Sequence, residues 1–174
     1  MKLRIALAAA AAGMAMASGA TAAPASANTT AQANIVAPGQ LSATRDLEFG
    51  TIAKPTTGTT TVTVASAATA TATPQVSGGN AFVPTSGLAH AAVFHLVGAN
   101  AQTYTVSANS LSFTGAAGNL GSVGSESPVA ASGTLNTLPA SGTDDLYIGG
   151  HFDITPTTTV QSYAGTLSLT VNFN

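Results

Sequence analysis

The chain has 174 residues, no cysteine or tryptophan, and charged side chains at only 6% of positions, against roughly 25% in an average globular protein. Four Lys and Arg stand against six Asp and Glu, too few cations for the phosphate contacts of nucleic-acid binding or for attraction to an anionic membrane surface. With no disulfide available, stability must come from apolar burial and the backbone hydrogen-bond ladder.

At the N-terminus, Lys2 and Arg4 precede an uncharged small-apolar run over residues 5–17. Ser18, Gly19 and two small-x-small sites follow, Ala20-Thr21-Ala22 and Ala25-Ser26-Ala27. A positive start, a short apolar stretch and small residues before a cut predict a signal peptide over residues 1–27, cleaved after Ala22 or Ala27. The run falls short of the roughly 20 residues that cross a bilayer. The expectation is a secreted protein, in the periplasm, at the cell surface or outside the cell, with no membrane insertion after cleavage. Losing Lys2 and Arg4 leaves Arg45 and Lys54 as the fixed cations and a net charge of −4. Residues 28–174 are enough for a single domain.

Pattern then predicts strands. Val62 and Val64 alternate with threonines over Thr60–Val64, and the Ala-Thr tract over residues 65–73 reads as an edge strand, because threonine is stiff at χ1 and favours the pleated sheet. Residues 93–97 are apolar except for His95, as in a strand buried on one side. Tyr104, Val106 and Ala108 alternate again. Leu146 with Ile148, then Phe152 with Ile154, bracket Gly149-Gly150, where a bulge, a tight bend or a close backbone approach is expected. Residues 115–132, rich in Gly, Ser and Ala, predict a long exposed hairpin or loop. The clearest strand is residues 165–174: Leu167, Leu169, Val171 and Phe173 face one way, with polar residues between them. Turn signals separate these runs at short intervals, and beyond the leader no stretch has helical spacing. The fold class is therefore all-β, an antiparallel sandwich or barrel.

Chemistry-bearing residues are sparse. His151 and Asp153 share one face of a strand, but no Gly-x-Ser-x-Gly elbow accompanies them, so a surface cross-pair is the expected role. His90 and His95 point to opposite faces. Asp144 and Asp145 form an acidic loop with too few oxygens for calcium unless other loops join. Glu48, Glu126 and Asp153 are the carboxylates that a cleft could bring together. No catalytic set, cofactor or metal site is expected, and the protein reads as non-enzymatic.

Three groups of residues carry a resemblance. Ala33-Asn34-Ile35-Val36-Ala37-Pro38 is followed by Leu47-Glu48-Phe49-Gly50-Thr51-Ile52. Ala92-Val93-Phe94-His95-Leu96-Val97-Gly98 precedes Thr103-Tyr104-Thr105-Val106. Leu146-Tyr147-Ile148-Gly149-Gly150 and Tyr163-Ala164-Gly165-Thr166-Leu167 lead to the closing Val171-Asn172-Phe173-Asn174. Over nearly all of the chain after the leader, this resembles a family of small secreted bacterial domains of unknown function. That family in turn looks like the pilin subunits of chaperone–usher fibres. The resemblance implies an immunoglobulin-like β-sandwich that assembles by strand addition, with another copy of itself (a fibre) or a chaperone as partner. On that reading Asn28, Thr30, Gln32, Asn34, Ile35 and Val36 belong to a strand-donor segment, and Leu167, Leu169, Val171 and Phe173 to a C-terminal edge strand. If instead one chain completes the sandwich, residues 28–37 are its first strand. The other function in view is a stand-alone periplasmic or extracellular module that binds a glycan or a protein.

Overall fold

The computed structural model describes residues 38–68, 73–84, 88–114 and 120–174, together with Ala33. All of these but Ala33 fall in the compact unit Ile35–Asn174. The signal peptide and the donor residues Asn28, Thr30, Gln32, Asn34, Ile35 and Val36 lie outside the described residues. Ten strands and no helix are found among those described: β1 Gln40–Arg45, β2 Thr60–Val64, β3 Gln75–Ser77, β4 Ala92–Val97, β5 Tyr104–Thr114, β6 Gly121–Ser125, β7 Val129–Ala130, β8 Thr143–Ile148, β9 Gly150–Ile154 and β10 Ala164–Phe173. All pairings are antiparallel. They build one sheet ordered β1-β4-β8-β7, a second ordered β3-β2-β9-β6, and a long ribbon of β10 with β5. The all-β sandwich expected from the alternating pattern is the fold observed.

Alternation decides which side chains meet. Ala92, Phe94 and Leu96 of β4 and Leu146 and Ile148 of β8 point inward from the first sheet. They pack with Tyr104 and Leu138 against Val106, Leu167, Leu169, Val171 and Phe173 of the ribbon. Val62, Phe152 and Ile154 of the second sheet form another cluster with Phe49, Ile52 and Phe113. The ribbon thus reaches both clusters, the first through β10 with Tyr104 and Val106 of β5, the second through Phe113.

The Gly149-Gly150 pair explains how consecutive strands reach different sheets. A Cβ on Gly149 would lie 1.9 Å from the Val64 carbonyl oxygen, and one on Gly150 would lie 2.7 Å from Leu111 Cδ2. The chain turns from the first sheet to the second here, and only backbone fits. The same corner overturns the strand expected over residues 65–73. Ser66 Oγ accepts a bond from the Gly149 amide at 2.8 Å, so the chain wraps the corner after Val64 instead of continuing the ladder. Residues 65–68 carry no strand pairing, and 69–72 lie outside the described residues.

Two further expectations need correction. The Tyr104, Val106, Ala108 alternation breaks at a bulge opposite Thr170 and Val171, so that Asn109, Leu111 and Phe113 take over the positions facing Leu169, Leu167 and Gly165. One extra residue flips the parity of the strand. Over the described part of residues 115–132 the expected exposed hairpin or loop gives way to β6 and β7, which pair with β9 and β8 and not with each other. β6 has no apolar alternation because its glycines sit under side chains of β9: a Cβ on Gly121 would lie 3.1 Å from Asp153 Cβ, and one on Gly124 would lie 2.7 Å from the His151 ring.

Candidate functional site

Strand edges are where an all-β protein meets other chains, and most here are blunted. β7 has two residues and β3 three. β1 carries a bulge between Ala43 and Arg45, and β6 shifts register between Gly121 and Gly124. β10 differs. Its ten residues pair in unbroken register with β5 from Ala164 to Thr170, and among the described residues no strand pairs with its other edge, nor with the other edge of the eleven-residue β5.

Its burial is anomalous as well. Core-facing residues of β2, β8 and β9 are fully buried. Leu167, Leu169, Val171 and Phe173 face the core with the same period, yet each is only half-buried. At the Leu167 end of this face opens a trough of about 1060 Å³. One wall is the stretch from Ala43 to Lys54, the other is Tyr163, Ala164, Gly165 and Leu167 with the preceding loop, and Phe94, Leu111, Phe113, Phe152 and Ile154 lie along its floor. Beyond the trough, near the end of β10, the Gly39 backbone lies against the Phe173 ring.

The walls are held by local chemistry. Glu48 and His90 exchange backbone bonds of 3.0 and 2.9 Å, and His90 Nδ1 donates to the Asp46 carbonyl at 2.9 Å. Arg45 Nε donates to the Ala91 carbonyl at 3.0 Å. Lys54 Nζ reaches across to the carbonyls of Pro156 and Thr158 at 3.0 and 3.4 Å, tying one wall to the other. Within the far wall Tyr163 OH donates to Thr159 O at 2.7 Å. Val160 stands on this rim at 80% exposed, an isolated aliphatic with no core to join. On the floor Phe49, Phe113 and Phe152 form a ring cluster, with centroids 4.8 to 6.0 Å apart. Gly165, directly opposite Phe113, has no room for a side chain, because a Cβ would lie 2.5 Å from the Ser112 carbonyl oxygen.

The polar candidates disperse. Asp153 accepts from Thr61 Oγ1 at 2.6 Å, whereas His151 Nδ1 lies 2.8 Å from Glu126 Oε1. Each member of the expected pair therefore has another partner. Glu48 is with His90 at 3.5 Å, so the three carboxylates are held by three different groups. Asp144 is buried, taking Ser132 Oγ at 2.6 Å and the backbone amides of Ser132 and Asp145. Asp145 points to the other face and pairs with His95 at 2.7 Å. The two carboxylates do not converge, and no group of metal-ligating side chains occurs among the described residues. Tyr104 has a displaced titration. Burial pushes its phenol above the usual range, the Asn136 backbone offsets part of this, and the Asp144 carboxylate adds to the rise.

Sequence reasoning singled out β10, Phe49 and Gly165 but not the trough they share. Lys54 and Val160 were missed as wall residues. The available signal was a lone valine in an otherwise polar run, Thr157-Thr158-Thr159-Val160-Gln161-Ser162.

A family described as a domain of unknown function (DUF4402) matches residues 39–173. No curated protein and no solved structure matches the chain.

Proposed function

The chain belongs to the DUF4402 family, and from that premise we propose that it is a secreted, non-enzymatic structural subunit of the cell surface. It is pilin-like in that its immunoglobulin-like sandwich receives a strand from another chain along β10. One observation carries this reading: the apolar face of β10 from Leu167 to Phe173 is half-buried, next to an unpaired edge, with a trough opening at its Leu167 end. A strand laid there gains a ladder of backbone hydrogen bonds, and its alternate side chains cover Leu167, Leu169 and Val171. The leader-like residues 1–27 and the low charge agree with export and with surfaces that pack against other surfaces. Residues 28–37 are the segment available for donation.

The test is deletion of residues 28–37 from the exported protein. The variant should stay folded by circular dichroism and remain monomeric in light scattering, while the intact protein forms higher assemblies. An intact protein that stays monomeric at high concentration, and forms no fibres visible on cells by electron microscopy, defeats the reading.

A further inference from the structure

The outer faces of the two four-stranded sheets differ, and from one of them we infer a binding site for a neutral sugar, built by Tyr147 and the His95–Asp145 pair. On the second sheet the outward rows are Ser77, Thr61, Asp153 and Gly121, then Gln75, Thr63, His151 and Gly124. Neither row holds an apolar side chain. The first sheet puts a different row on its surface. Val93 of β4, Tyr147 of β8 and Val129 of β7 stand directly opposite one another, and directly opposed residues share a face. Val129 is 45% exposed and Tyr147 is half-buried. Arg45, opposite Val93, is turned to the Ala91 carbonyl. An aromatic ring between two aliphatics, on a surface that is otherwise polar, points to a ligand with an apolar face.

The next row on the same face is Ser42, His95 and Asp145, about 7 Å away at two residues of strand rise. Asp145 Oδ1 lies 2.7 Å from His95 Nδ1. A carboxylate only accepts, so Nδ1 is the donor, and in the neutral imidazole Nε2 is left as an acceptor. Asp145 Oδ2 and His95 Nε2 are thus two acceptors on side chains 38% and 39% exposed. The hydroxyls of Ser42 and Thr143 stand beside them on the same face. A pyranose meets both rows at once. Its C–H face lies on the electron-rich face of Tyr147, and adjacent hydroxyls donate to Oδ2 and Nε2.

Charged ligands fit less well. An anion meets the Asp145 carboxylate, and a cation finds no second one, because Asp144 points into the core and is bonded there. The ribbon packs on the opposite face of this sheet, so the site stays open whether or not a strand is added along β10.

The test uses the exported full-length protein, titrated by saturation-transfer NMR with lactose, maltotriose, mannotriose and chitotriose. Sialyllactose and choline are the anionic and cationic probes. At least one neutral sugar should bind, with its ring protons in contact with a tyrosine. Tyr147→Ala and Asp145→Asn should each weaken binding about tenfold, while Tyr147→Phe keeps it. Glu126→Gln, which alters the His151 pair on the other sheet, should change nothing. Circular dichroism establishes that each variant is folded, and Asp145→Asn carries the test if Tyr147→Ala is not. The proposal is overturned if no neutral sugar binds up to its solubility, if binding survives both Tyr147→Ala and Asp145→Asn, or if sialyllactose or choline binds more tightly than every neutral sugar.

Discussion

Phe49 meets Phe152 edge-on, with ring centroids 4.8 Å apart and 70° between the planes. One residue comes from the connection after β1 and the other from the middle of β9, so this contact joins the trough wall to the second sheet. The rings are unequally covered, Phe152 being 7% exposed and Phe49 only half-buried. Phe152→Ala should therefore cost about 3–5 kcal/mol, and Phe49→Ala roughly half as much in proportion to the area it buries. Urea unfolding of the two variants checks the ratio. If strand addition occurs, Phe49→Ala should also weaken assembly more than its stability loss explains.

Tyr104 is 1% exposed, and its hydroxyl has no hydrogen-bond partner among the described residues. Tyr104→Phe should be neutral or slightly stabilising at neutral pH, since it removes an unsatisfied buried oxygen and keeps the ring against Phe173. Its raised pKa gives a second signature. Above about pH 10 the unfolded chain loses the phenolic proton while the folded one keeps it. Stability therefore falls as pH rises from the unfolded value toward the folded one. Chemical unfolding between pH 9 and 11 should show a shallower decline in Tyr104→Phe than in the wild type.

The sheet-switching corner is a stringent test of backbone packing. Gly149→Ala places a methyl group on the Val64 carbonyl, and the loss should be about 4 kcal/mol or more, at the extreme of single substitutions. Gly133→Ala is the control. Gly133 has φ +77° with nothing within 4 Å of its Cβ position, so it should cost only the left-handed strain of about 1–2 kcal/mol. Thermal melts of the pair separate the two effects.

Asp144 holds the turn at Ser132 through two bonds. Asp144→Ala should cost about 1.5–3 kcal/mol, because it removes a charged acceptor from both bonds, while the exposed Ser132 can turn to water. Since both carboxylate oxygens are used inside the protein, adding calcium or EDTA should leave the wild-type melting temperature unchanged. Differential scanning fluorimetry covers both measurements.

Legibility of the fold followed burial. The strands containing Val62, Leu146, Phe152 and Leu167 were readable because one face is wet and the other is not, and Gly149-Gly150 announced its corner because nothing else fits there. β6 was unreadable, since its glycines answer to Asp153 and His151 on a strand far away in sequence. The Ala-Thr tract misled for the complementary reason: a high strand propensity lost to the corner at Ser66. In the candidate site, periodicity placed Leu167, Leu169, Val171 and Phe173 on one face. The half-burial that makes this face notable depends on what lies above it, and no local pattern records that. Val160 and Lys54 became visible as wall residues only when the loop before β10 was seen beside residues 43–54.

The contact of Gly39 with Phe173 also fixes how the domain would carry tension. It puts the beginning of β1 and the end of β10 at one pole, so a pull applied to these two points peels each strand from its neighbour one rung at a time. Peeling is the weak direction of a sheet, because the rungs fail in sequence. A load entering instead through a guest strand lying along β10 would pull parallel to the ladder and strain all its rungs together. The same domain would then give way easily when held by its own two ends and resist strongly when held through its neighbour.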